Sequence, residues 1–156
     1  MKVTIHDAVP GDAADIVHLI RELAASAGGY SPLSEPYVHT YLSSLKSHVL
    51  LAELEGRVVG LLSYSTRPDL YHAADACYVE ELVVHEGARG HGVGSALLEG
   101  FLSRLDGATC AEVSVAAAPD NSPALHLYRS RGLDGESVLL EMHLEAGLPP
   151  AERGTE

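Results

Sequence analysis

Basic residues are scarce: 10 lysines and arginines stand against 22 aspartates and glutamates, for a formal charge of -12. Such a surface repels a phosphate backbone and excludes nucleic acid as the main partner, while leaving room for a local basic pocket. Cysteine is nearly absent. Cys77 and Cys110 both lie inside apolar, strand-like runs, so they read as buried free thiols rather than as a disulfide. No apolar run approaches the roughly 20 residues that span a bilayer. Met1 to Pro10 has neither the basic start nor the apolar stretch of a signal peptide. No membrane partner is expected, and a cytoplasmic location follows. Internal repeats and long linkers are missing as well, so the 156 residues predict one domain over 1–145 and a short, polar, mobile tail at 146–156. The nine histidines are scattered, with no H-x-x-x-H or C-x-x-C pair, and no metal site is expected.

What is present reads as alternating helices and strands. Val3 and Ile5 alternate with polar neighbours as in an edge strand, and Pro10 with Asp12 opens a helix that buries Ile16, Leu19, Ile20 and Leu23 and ends at Gly28-Gly29. Ser34 is the expected N-cap of a second helix reaching Leu45, with Tyr37, Tyr41 and Leu45 on one face. From His48 the period becomes that of strands. HVLLAEL, a turn at Glu55-Gly56 and RVVGLLSYST predict an antiparallel hairpin. RPDLYHAADA reads as a loop, followed by a central strand from about Ala76 to Val84. A helix from Gly92 to about Leu105, a strand from Ala111, a helix from Pro123 to Arg131 and a last strand, SVLLEMHLE, complete the order. That order implies an α/β (α+β) fold, a mixed sheet covered by helices.

The strongest chemical signal is VEELVV followed by Arg89-Gly90-His91-Gly92-Val93-Gly94 and an apolar helix. The start of a helix offers unpaired N–H groups and a partial positive charge, so it attracts phosphate. Gly90, Gly92 and Gly94 let the backbone approach a pyrophosphate, and Arg89 can add a charge-assisted bond. A dinucleotide fingerprint is excluded because its third glycine would fall on Ser95, and a nucleotide P-loop because Gly-Lys-Ser/Thr is absent. The glycine spacing and the antiparallel front half together disfavour a nicotinamide enzyme.

R-G-H-G-V-G after a strand resembles the acetyl-CoA signature R/Q-x-x-G-x-G/A of the GNAT (Gcn5-related) N-acetyltransferases. Asn121-Ser-Pro-Ala124-Leu-His-Leu127-Tyr128 resembles the family's later N-x-x-A-x-x-L-Y segment, with Leu133 in place of the phenylalanine that usually follows its glycine. The resemblance spans about residues 3 to 144. It implies a mixed sheet of six to seven strands with about four helices, splayed between the fourth and fifth strands. It also implies that acetyl-CoA binds through Leu82, Val83 and Val84 and through Arg89, Gly90, His91, Gly92, Val93, Gly94 and Ser95, with Asn121, Ala124 and Tyr128 alongside. Asn121 either contacts the coenzyme or fixes its loop, and Tyr128 protonates the departing thiolate.

The attacking amine must lose a proton. Glu80 and Glu81 lie in an otherwise apolar strand, where a regular pleat sends one to each face. By similarity to small-amine acetyltransferases, Glu80 is the first choice as base and Glu81 the second. The acceptor is expected near Tyr30, Glu35, Tyr37 and Tyr71, a carboxylate and tyrosine mixture suited to a cationic amine: polyamine-like, aminoglycoside-like or a lysine. Direct transfer in a ternary complex is the leading reading. A non-catalytic acyl-CoA-binding regulatory module is the rival. Many members of the family are dimers, which leaves a homodimer open, although no stretch of the sequence marks an interface.

Overall fold

A computed structural model describes residues 2–105 and 109–144. The expected tail at 146–156 lies outside the described residues. Five strands form one sheet in the order β1-β2-β3-β4-β5: β1 (Val3–Asp7), β2 (Ser47–Leu54), β3 (Arg57–Asp69), β4 (Ala74–Val84) and β5 (Cys110–Val115). The first four are antiparallel and β5 runs parallel to β4. Helices α1 (Ala13–Ser26), α2 (Glu35–Leu42), α3 (Val93–Arg104) and α4 (Ser122–Ser130) cover it. No helix among the described residues is long and apolar enough to cross a membrane.

Strand alternation divides the core between the two faces. Leu50, Ala52 and Leu62 join α3 and Tyr128 on one face, while Val49, Leu51 and Leu61 join α1 and Val38 of α2 on the other. Leu97, Leu98 and Phe101 of α3 are fully buried, each worth about 1.5–3 kcal/mol by transfer from water. Gly60 makes this packing close. A Cβ there would lie 2.8 Å from Val93 Cγ1 and 3.0 Å from Leu97 Cδ1, so the first turn of α3 rests directly on β3.

The β2–β3 hairpin turns at Glu55 and Gly56, whose φ values of 53° and 77° are those of a type I′ turn. Ser34 caps α2, its Oγ accepting the Tyr37 N–H at 3.4 Å. Three sequence expectations need correction. The stretch read as a loop, RPDLYHAADA, is mostly strand, because β3 and β4 pair out to Asp69 and Ala74 and leave only 70–73 for the turn. The second helix stops at Leu42, and Leu45 is exposed beyond it; Val38 supplies its buried anchor. Among the described residues the sheet has five strands, not the expected six to seven. Residues 137–144 form no strand despite their alternation. A period of two supplies a strand with a face but not with a partner. Arg129 of α4 pairs with Glu136 just before the segment, and within it Val138, Leu140, Met142 and Leu144 remain exposed.

Candidate functional site

Pairing of β4 with β5 stops at Val79 and Val115, whereas pairing of β4 with β3 continues to Val84 and Gly60. Among the described residues, Glu80 to Val84 therefore have no strand partner on the β5 side. No strand takes up the hydrogen-bonding groups of that edge, which leaves its N–H groups open to a ligand, while Val84 O accepts from Arg89.

After Val84 a short 3-10 turn, Glu86–Ala88, leads through Arg89 to α3. Gly90 and Gly92 have φ of 79° and 76°, the left-handed region that glycine enters without cost. A Cβ on either would meet nothing within 4 Å, so both backbones face open space. Among the described residues, no amide from Gly90 to Ser95 donates to a backbone carbonyl; the first helical bond runs from Ala96 N–H to Gly92 O at 3.0 Å. Consecutive unpaired N–H groups at a helix opening form an anion cradle. It lies in a cavity of about 190 Å³ lined by Val84, Arg89, Gly90, Gly92, Gly94 and Leu127. This is smaller than the roughly 300–1,000 Å³ of a site that encloses a drug-sized ligand; it has room for the phosphate portion of a longer molecule. Arg89 Nε donates to Val84 O at 3.1 Å, tying the guanidinium to the rim. Val93 is buried and anchors the loop in the core.

Helix α4 closes the other side. Asn121 Oδ1 accepts the Ala124 N–H at 3.3 Å and so caps the helix. Asn121→Ala removes that cap, and a loss of about 1 kcal/mol, seen as a melting temperature lower by about 2–4 °C, is the expected result in thermal denaturation. Tyr128 is buried one residue beyond Leu127. Burial pushes its phenol above the usual tyrosine value, so it stays protonated at neutral pH.

The two glutamates depart from the simple pleat. Ser63 pairs with Glu81 but Tyr64 pairs with Val79, so Glu80 is the extra residue of a β-bulge. The bulge turns Glu80 and Glu81 to the same face, where Ser65 Oγ donates to Glu80 at 2.8 Å and Ser63 Oγ donates to Glu81. The expectation of one glutamate per face is thereby corrected. Glu80 is exposed; Glu81 is not. Burial raises the Glu81 carboxyl above the ordinary carboxylate range and the charge of Glu80 adds to this, against the Ser63 hydrogen bond. Tyr41 of α2 closes over the pair, its phenol pushed up to about 12 by burial and by the charges of Glu81 and Glu80, against hydrogen bonds with Ser63 and Ser47.

The model of the acetyltransferase (GNAT) family matches residues 16–133. The chain belongs to that family. It is 29% identical over 110 residues to an L-2,4-diaminobutyric acid acetyltransferase of Nocardia farcinica, covering 69% of this chain and 54% of that one. It is 33% identical over 123 residues to a mycothiol acetyltransferase of Thermomonospora curvata, covering 79% and 38%. The chain thus spans about half or less of these relatives' lengths. Among solved structures, an aminoglycoside acetyltransferase, meta-AAC0020, from an uncultured soil metagenomic sample superposes with a TM-score of 0.77 at 22% identity, over 91% of this chain and 95% of that one. The last similarity is one of fold.

Within this GNAT fold the four expected acceptor residues stay at the surface. Tyr30, Glu35 and Tyr37 lie between α1 and the first turn of α2, and Tyr71 lies in the β3–β4 turn, edge-on to His72 at 4.9 Å. Among the described residues no hydrogen bond or ring contact joins the two groups. Sequence reading passed over Tyr41 and Ser63 as site residues. Their signal was a serine inside the apolar run LLSYST, which gains meaning only when the bulged register sets it opposite Glu81.

Proposed function

We propose that the chain transfers an acetyl group from acetyl-CoA to a primary amine of a small molecule or peptide, by direct attack in a ternary complex. The observation that carries this reading is the run of unpaired amides from Gly90 to Ser95 beside the unpartnered edge of β4. The coenzyme requires a cradle for its pyrophosphate, a backbone edge for its amide-bearing arm and open space between them. The residues present fit each requirement. When bound, acetyl-CoA supplies the activated acyl group; the chain supplies everything else. The amides at the start of α3 hold the pyrophosphate, and the edge of Leu82–Val84 orients the arm and offers N–H groups to the thioester oxygen.

The acid and the base reach this edge from opposite faces of the sheet. Tyr128 approaches from the α3–α4 face, still protonated, and donates to the leaving sulfur. Glu81 approaches from the α1–α2 face; its raised pKa makes it the better base, directly or through water, and its hydrogen bonds with Ser63 orient it. Tyr128→Phe keeps the ring in the core and removes only the proton donor. A fall in kcat of about 10²- to 10⁴-fold with unchanged acetyl-CoA affinity is the expected kinetic result.

A cationic acceptor suits the chain's acidity and the tyrosine-rich surface from Tyr30 to Tyr37 and at Tyr71. Two of the similar proteins are, by name, acetyltransferases for diaminobutyric acid and aminoglycosides. The test is thiol release from acetyl-CoA across a panel of cationic and anionic amines, with mass detection of products. Turnover favouring cationic amines supports the proposal. Tight acetyl-CoA binding with no turnover across the panel supports a binding module instead.

A further inference from the structure

We propose that His18, Glu22 and His85 form a binding site for a divalent transition-metal ion of the zinc class. The sequence keeps His85 far from His18 and Glu22, but the fold gathers all three. His18 and Glu22 are four residues apart on α1 and so share one face, while His85 follows the last residue of β4 directly. One donor atom from each lies within 4.8 Å of the others. Donors on a common tetrahedral zinc ion, at about 2.0–2.1 Å from it, lie about 3.4 Å apart. His18 and His85 are surface side chains, so rotation of their rings can bring the donors to that spacing.

Three features make this more than a surface ion pair. Two imidazoles and one carboxylate are a donor set that selects zinc and its neighbours over calcium or magnesium. Glu22 is already oriented: its Oε1 accepts the Glu86 N–H at 2.8 Å, while Oε2 lies 2.8 Å from His85 Nδ1. A backbone bond to the second oxygen is the support that metal-binding carboxylates use. The rings of His18 and His85 also converge, with centroids 6.3 Å apart. The site lies on the α1 side of the sheet, whereas the cavity at the glycine loop is lined by Leu127 of α4 and by the start of α3. An ion held there would fasten α1 to the root of the segment that leads into Arg89 and Gly90, and would stiffen that loop without occupying it.

The test is calorimetry of untagged, chelator-treated protein with zinc ion alone. One equivalent binding in the micromolar range is expected, with affinity lowered at least tenfold in Glu22→Gln and in the double variant His18→Ala/His85→Ala. Asp69, His72 and Glu112 form a second group of donors, so His72→Ala serves as the control and should leave that equivalent in place. Zinc should also slow amide exchange from Glu86 to Gly92 in the wild type only. Circular dichroism matching the wild type establishes that the variants fold. Absence of binding, wild-type affinity in the double variant, or loss of the equivalent in His72→Ala would each overturn the proposal.

Discussion

Gly92→Glu should abolish measurable acetyl-CoA binding while leaving a folded protein. At φ of 76° any side chain forces a left-handed backbone that costs about 1–2 kcal/mol. The fold can absorb that, because the added Cβ meets nothing within 4 Å; a melting temperature lower by several degrees is the expected extent of the damage. The cofactor cannot absorb it. The new carboxylate enters the space in front of the amides of Gly90 to Ser95, where it both takes their hydrogen bonds and repels a diphosphate. Affinity should fall at least a hundredfold, about 2.7 kcal/mol, in calorimetric titration. Binding within threefold of the wild type would place the pyrophosphate elsewhere.

Glu81→Gln should lower kcat by about 10²- to 10⁴-fold and, at neutral pH, make the protein more stable. Both effects come from one fact: Glu81 lies partly buried between Ser63 and Tyr41 with its pKa raised by burial. The folded chain holds this proton more tightly than the unfolded chain. The resulting stabilisation is complete below the unfolded pKa and is lost as pH rises through the folded one. Glutamine carries no charge to desolvate, so the variant should melt above the wild type at pH 7 and converge with it in acid. The rise of kcat/KM with pH that reports the carboxylate should disappear in the variant. Glu80→Gln, at an exposed position, should keep that rise. Melting curves and pH–rate profiles of the two variants separate the roles, and a lost rise in Glu80→Gln alone would reverse the assignment.

The parts of the site legible in the sequence were those in which the chemistry is local. Arg89 to Gly94 are contiguous, and their place between a strand and an apolar helix follows from a change of period. Asn121 and Tyr128 belong to one short helix. The β-bulge was not legible, because a bulge is a property of two strands: nothing in VEELVV states that Ser63 sets its partner at Glu81 while Tyr64 sets its own at Val79. For the same reason the two glutamates were expected on opposite faces, and Ser63 and Tyr41 were passed over. The segment at 137–144 failed in the converse way, since its alternation is that of a strand yet among the described residues no strand pairs with it and its apolar side chains stay exposed. His85 lies 63 residues from Glu22, a separation that no motif search bridges.

The proposed function rests on main-chain N–H groups at the opening of α3 receiving the diphosphate of the coenzyme. Titration of isotope-labelled protein with acetyl-CoA, followed by amide NMR, tests it directly. The largest shifts should fall on Gly90, Gly92, Val93, Gly94 and Ser95, with a second set along Leu82 to Val84. Saturable binding that leaves these amides unmoved would contradict the account.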